Sequence, residues 1–310
     1  MAVANQTRPG RAASRTRWAR RETLVFYLCI SPWLIGFFLW TAGPMVYSAW
    51  LSLNRWDLFT APVWVGLENY QRMFQADPDF WQSLKVTTIY SVVSVPLHLA
   101  GAFAVALLMN QTVGGINYFR TIYYLPAILP GVAVAVLWIW VFNPQFGILN
   151  MILHWFGIEG PNWLGDPQWA LPALILMSLW SIGGGMIIYL AGLKGIPRPL
   201  YEAAEIDGAG TIRKFWNITV PQMTPTIFFN LIMGIIGSFQ TFTAAYVMTN
   251  GGPRKATFFY YFYLYQMAFQ NFRMGYAAAM AWILFIIILV LTLLVFRSQS
   301  LWVYYESERK

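Results

Sequence analysis

The chain has 310 residues, of which 58% are hydrophobic and 10% charged, with a formal net charge of +8. A soluble domain carries roughly 25% charged residues, and a fold of this size could not cover its surface with so few, which excludes an ordinary soluble protein. The lone cysteine, Cys29, excludes an internal disulfide, and two histidines, His98 and His154, are too few and too far apart in sequence for a metal cluster.

In chain order, a basic stretch over residues 8–21 reads as a disordered tail near anionic headgroups. Six windows free of Asp, Glu, Lys and Arg follow: Glu22 to Arg55, Lys85 to Arg120, Arg120 to Glu159, Asp166 to Lys194, Lys214 to Arg254 and Arg273 to Arg297. Each holds an apolar run of about 20 residues or more, enough to cross a hydrocarbon core of roughly 30 Å as a helix. In lipid every backbone amide must be satisfied internally, so helices are the expected solution. The windows predict transmembrane helices over residues 24–51, 86–109, 121–142, 169–193, 224–248 and 274–296. The first is too long for a signal peptide and lacks a convincing cleavage site. The fold class expected is therefore an all-α integral membrane protein. A six-helix domain over residues 23–299 is flanked by a basic tail (1–22) and a short C-terminal tail (300–310).

Between the spans, residues 54–85 carry turn signals at Ala61-Pro62 and Asp77-Pro78 and enough aromatics for an interfacial structure with short helices. Residues 143–168 are similar, with Trp155 and Trp163 among Pro144, Pro161 and Pro167. Such aromatics are read as interface anchors, the other reading being a docking surface. Residues 257–272 look like an amphipathic segment. Pro32, Pro44, Pro96, Pro126, Pro130 and Pro172 lie within the spans, and each favours a kink by removing an intrahelical hydrogen bond.

An even number of spans puts both termini on one side. That side gathers Arg8, Arg11, Arg15, Arg17, Arg20, Arg21, Arg120, Lys194, Arg198, Arg213, Lys214, Arg297, Arg309 and Lys310. By the positive-inside rule it is cytoplasmic. The excess positive charge is thereby accounted for without nucleic acid.

The cytoplasmic loop over residues 194–221 is unlike a simple connector. Pro199 suits a helix start, residues 201–206 are good helix formers, and Gly208 and Gly210 break the run. A second short helix fits residues 213–217 before Pro221 opens the next span. Two short helices at a glycine corner make a compact knob. Ala203 and Ala204 permit close approach by another protein, and Glu202, Glu205 and Asp207 offer ion pairs.

Glu202-Ala203-Ala204, Gly208, Ile218 and Pro221 match in identity and spacing the EAA motif of binding-protein-dependent ABC importer permeases. Ile196-Pro197, Leu200-Tyr201 and Ile206-Asp207-Gly208-Ala209 resemble the carbohydrate, maltose-permease-like branch, as do residues 64–70, 249–253 and 275–282. Val220 stands where a leucine is expected, and the large external domain of some maltose-type subunits is absent. The resemblance implies a type I importer permease fold in a bacterial or archaeal cytoplasmic membrane. Tyr201, Glu202, Ala203, Ala204, Asp207, Gly208, Ile218 and Pro221 would couple it to an ATPase. Implied partners are a second permease subunit, two ATPase subunits and an extracytoplasmic sugar-binding protein. The chain has no Gly-x-x-x-x-Gly-Lys-Ser/Thr loop, so ATP and Mg would sit on the partner subunits and no cofactor on this one.

On the fifth span, Asn230, Gly234, Gly237, Ser238 and Thr241 share one helical face. The stripe offers hydrogen-bonding groups and room for a carbohydrate, or alternatively close helix packing. Ser181 and Gly183-Gly184-Gly185 on the fourth span are placed to widen the same cavity. Lysine and arginine are absent from the spans, which favours a neutral sugar. His98 lacks an acidic partner in the spans and reads as a packing or hydrogen-bonded residue. The competing class is an ion-coupled secondary transporter, against which the absence of intramembrane acids weighs. An intramembrane enzyme would need a nucleophile with a paired base, and none is evident.

Overall fold

The computed structural model describes the backbone of residues 11–304, with side chains from residue 21 onward; residues 1–10 and 305–310, and with them Arg8, Arg309 and Lys310, lie outside it. The first helix, α1 (Arg11–Phe37), begins inside the basic stretch, so from Arg11 the chain is helical where a disordered tail was expected. A π-helical turn, Phe38–Ala42, joins it to α2 (Gly43–Ser52), giving one apolar run over Arg21–Ser52. The π turn has a local cause. Pro44 has no N–H to give to a carbonyl four residues back, and the ladder shifts to the wider spacing just before it, with Gly43 N–H bonded to the Phe38 carbonyl.

Strands β1 (Asn54–Arg55) and β2 (Val63–Trp64) pair antiparallel in a two-stranded hairpin. Helix α3 (Glu68–Gln75) then leads into α4 (Pro78–Met109), which opens with Asp77 as N-cap. Asp77 Oδ1 accepts from the amides of Asp79 at 3.0 Å and Phe80 at 3.2 Å, and Pro78 occupies the first turn, where its missing donor costs nothing. At the far end of α4, Arg120 donates to the Met109 carbonyl through Nη2 at 2.6 Å and closes the turn into α5 (Ile116–Ile128).

The expected third span is broken. Helix α5 stops at Ile128 and α6 (Gly131–Val141) departs at 99°. Pro130 removes a donor and holds the residue before it, Leu129, in the extended region at ψ 141°. The segment that follows carries α7 (Ile148–Trp155). The fourth span bends by 45° between α8 (Ala170–Ser178), with its 3-10 turn, and α9 (Gly183–Gly195).

Two short helices follow, α10 (Arg198–Ile206) and α11 (Thr211–Lys214). The second is not separate from the fifth span. Through a π turn at Phe215–Thr219 it runs directly into α12 (Val220–Phe239), making one helical run over Thr211–Phe239. The π turn again precedes a proline, Pro221. The span also ends earlier than the expected residue 248, at Phe239, with irregular backbone at residues 240–242. Helix α13 (Tyr260–Tyr265) and the final span α14 (Met274–Trp302) complete the chain.

Helix α4 is the central post, packing along α9 and α12, while α14 packs on α2 and α12. Two main clusters of buried side chains sit at opposite ends. Near the hairpin, Phe80, Phe258, Phe259, Tyr260 and Phe262 draw the segment between the fifth and sixth spans inward, so residues 257–262 are largely core rather than one face of an amphipathic helix. Here Asp77 Oδ2 accepts from Tyr263 at 2.6 Å and from the Tyr276 hydroxyl, tying α4, α13 and α14 together. Burial, and then the Asp77 carboxylate, push the Tyr263 phenol upward from its ordinary pKa. Near the knob, Met186, Tyr189, Leu193, Ile196 and Met223 form the second cluster.

Candidate functional site

Two arrangements stand out, a surface knob and a cavity between spans. The knob follows from its sequence. Pro197 precedes α10 and Pro199 sits in its first turn. The helix ends at Gly208, whose φ of +73° is left-handed. There the Gly208 amide donates to the Glu205 carbonyl at 3.0 Å and the Ala209 amide to the Ala204 carbonyl at 2.8 Å, the paired bonds of a Schellman cap. The chain then reverses into α11, and Lys214 Nζ meets Glu205 Oε1 at 2.8 Å across the corner.

Among the expected coupling residues, Glu202, Ala203, Asp207 and Gly208 are exposed on the knob surface, and Ala204 is half-buried beneath them. Tyr201 and Ile218 instead form its base, packed on the cluster around Met186 and Met223. The Tyr201 hydroxyl lies 2.8 Å from Thr219 Oγ1. Pro221 stands in the first turn of α12. Sequence reasoning missed the apolar tip: Ile206 is 88% exposed, Ile212 77% and Trp216 63%. The signal was Ile206, Ile212 and Trp216 standing among glycines and charged residues of the loop.

The cavity, of about 390 Å³, lies between α4, the α8–α9 bend and α12. Ser181, Asn230, Gly234, Gly237, Ser238 and Thr241 all line it, so the fifth-span stripe does face one space. Gly184 does not. A side-chain carbon there would sit 3.6 Å from Ala127 Cβ on α5, and it is Gly185, 100° further round an ideal helix, that opens on the cavity. Gly183 packs elsewhere again, its Cα face pressed on the Tyr123 carbonyl. Glycines of the stripe also divide in role. Gly234 lets Val95 approach to 3.1 Å of where its Cβ would be, whereas nothing lies within 4 Å of that point at Gly237.

Side chains from α4 complete the wall: Tyr90, Ser94 and His98, with Ser178 and Tyr189 from the fourth span. Nothing in the chain's pattern joins His98 to the stripe, which begins 132 positions later at Asn230. No Asp, Glu, Lys or Arg lines the cavity among the described residues, and no cluster there could hold a metal ion. What the wall offers is hydroxyl, amide and imidazole groups among aliphatic surface, a lining for an uncharged polar solute.

A bundle of bent, apolar spans around a polar cavity, with an ordered knob at one end, defines a membrane permease. The profile of the binding-protein-dependent transport system inner membrane component family matches residues 99–302, and the chain belongs to that family. It is 45% identical over 303 residues to the probable ABC transporter permease protein YesP of Bacillus subtilis (strain 168), covering 96% of this chain and 98% of the relative. It is 34% identical over 282 residues to the sulfoquinovosyl glycerol transport system permease protein SmoG of Agrobacterium fabrum (strain C58 / ATCC 33970), covering 89% and 91%. Among solved structures, a chain of a bacterial ABC transporter involved in the import of the acidic polysaccharide alginate superposes with a TM-score of 0.79 at 25% identity, over 92% of this chain and 98% of that one. The chain is thus the permease subunit of an ABC transporter, and its family is not one of enzymes.

Proposed function

We propose that this permease passes an uncharged carbohydrate through the cavity bounded by α4, α9 and α12, and that the knob couples it to an ATPase subunit. The observation that carries the reading is the unbroken helical run over Thr211–Phe239. One end of that run is the second half of the knob. The other bears Asn230, Gly234, Gly237 and Ser238 on the cavity wall. A displacement of the knob is therefore delivered along one element to the groups that face the solute.

The partners follow from what the chain lacks. Without a phosphate-cradling loop it takes its energy from two ATPase subunits, where ATP and Mg2+ act, and the exposed Ile206, Ile212 and Trp216 with Glu202 and Asp207 are the surface offered to them. A second permease subunit closes the other half of the pathway, and an extracytoplasmic binding protein delivers the sugar. The knob, with Arg198 and Arg213, and both termini face the cytoplasm, in keeping with the positive-inside rule. The hydroxyl-rich wall without arginine or lysine supports a neutral sugar, against the acidic polysaccharide of the alginate system.

The test is sugar-stimulated ATP hydrolysis by this chain reconstituted in proteoliposomes with its neighbouring subunits, using neutral and acidic oligosaccharides. Gly208→Pro cannot adopt φ +73° and is expected to abolish stimulation in a complex that still assembles. Stimulation persisting in that variant removes the knob from coupling. Uptake of only the acidic sugars refutes the neutral-substrate reading.

A further inference from the structure

The polar groups of the cavity are not equally available. In its outer part, Ser178 Oγ donates to the Ile175 carbonyl at 2.6 Å, Ser238 Oγ to Ile235 at 2.9 Å and Thr241 Oγ1 to Ser238 at 2.9 Å. These hydroxyls have spent their hydrogens on protein and keep mainly acceptor capacity.

The inner part is different. Asn230 Nδ2 donates to the Thr226 carbonyl at 2.8 Å, which turns Oδ1 outward as an acceptor. That Oδ1 and His98 Nε2 each lie 3.9 Å from the point where a side chain would begin on Gly185. One turn further along α9, Tyr189 is 1% exposed, its ring braced by Phe103 at 5.3 Å. Its hydroxyl is buried with no hydrogen-bond partner among the described residues. A buried hydroxyl left unpaired is costly, and phenylalanine would remove the cost at once. Three helices thus bring an unspent donor, an amide acceptor and an imidazole to the same cavity wall as Gly185, where a Cβ would press on Ala102 Cβ at 3.0 Å.

We propose that His98, Tyr189 and Asn230 form a hydroxyl-reading subsite that decides which sugar the permease passes. The inference rests on the carbohydrate reading above. Tyr189 donates to a sugar oxygen, Asn230 Oδ1 accepts from a sugar hydroxyl, and His98 adds a polar contact through Nε2. A vicinal hydroxyl pair of an uncharged pyranose satisfies all three. A site built on hydrogen bonds rejects a solute that leaves them unmade more strongly than an apolar wall does, so selectivity resides here rather than in the outer hydroxyls.

The test uses the whole importer in proteoliposomes with saturating binding protein. The wild type is offered maltose, trehalose, D-glucose and D-galactose together, and accumulated sugars are read by mass spectrometry per assembled complex. His98→Leu and Tyr189→Phe are each expected to lower accumulation about tenfold and to change the ratio between accumulated sugars. His98→Gln, which keeps a donor and an acceptor, is expected to restore most of the rate. A merely structural role would lower the yield of complex and leave the ratio alone. Wild-type rate and ratio in both His98→Leu and Tyr189→Phe overturn the subsite while leaving the carbohydrate reading intact. A wild type that hydrolyses ATP yet accumulates none of the four overturns the neutral-sugar reading and the subsite with it.

Discussion

The hydroxyls of Tyr201 and Thr219 lie 2.8 Å apart and join the two halves of the knob at its base. Tyr201 belongs to α10, while Thr219 closes the π turn that enters α12. The bond therefore ties the free-standing half of the knob to the half that is continuous with the cavity wall. Tyr201→Phe removes one neutral hydrogen bond, about 0.5–1.5 kcal/mol, too little to unfold the subunit. The expected result is a complex that assembles and hydrolyses ATP but moves fewer sugar molecules per ATP. Hydrolysis and uptake measured on the same proteoliposomes check this, and an unchanged ratio removes Tyr201 from coupling.

Gly208 is set by backbone conformation and not by space. Nothing lies within 4 Å of its potential Cβ, yet its φ is +73°. An L-residue pays roughly 1–2 kcal/mol to occupy that region, asparagine least and β-branched residues most. Sugar-stimulated ATP hydrolysis per assembled complex is expected to fall in the order Gly208, Asn, Ala, Val. Equal stimulation with Gly208→Val contradicts a requirement for the cap.

Gly183 and Gly237 make a contrasting pair. A Cβ on Gly183 would lie 1.9 Å from the Tyr123 carbonyl oxygen, a main-chain atom that cannot swing away. Gly183→Ala is expected to destabilise the subunit by about 1–3 kcal/mol. Gly237→Ala points a methyl into open space, so its thermal stability in detergent should match wild type within about 0.5 kcal/mol. The reverse order in thermal unfolding would mean that α5 and α9 pack otherwise.

The Asp77 node supplies a pH dependence. The Tyr263 phenol is held above its ordinary value of 10 in the fold, by burial first and by Asp77 second. Below pH 10 the group is neutral folded or unfolded, and its contribution is complete. As pH rises beyond 10 the unfolded chain loses this proton while the fold retains it, so stability falls, by up to about 1.4 kcal/mol per pH unit. Wild type should therefore lose thermal stability more steeply than Tyr263→Phe above pH 10. Parallel curves would show that the phenol titrates freely in the fold.

The charge-free windows gave the number and approximate placement of the spans, because hydropathy depends on composition alone. Breaks within spans were less legible. Proline marked Pro130 as one of several candidate kinks, but the 99° turn needed the extended backbone at Leu129 as well. Gly183-Gly184-Gly185 shows the limit on site residues. Three identical residues carry no pattern, and only the neighbours Tyr123, Ala127 and Ala102 assign each its face. His98 and Tyr189 had no sequence signal joining them to Asn230, since one orphaned hydroxyl and one imidazole become a site only when three helices converge.

The first span meets the rest of the chain through its last turns. Helix α2 packs on α14, but the most apolar stretch of Arg21–Ser52 has none of its residues buried within this subunit. Leu24, Phe26, Trp33, Leu39 and Trp40 all stand exposed. For that half of the helix the subunit's own fold demands length and oiliness, not shape. Its sequence can be rewritten among large apolar residues with little effect on how this chain folds, and any exacting requirement discovered there is a message from whatever lies alongside it.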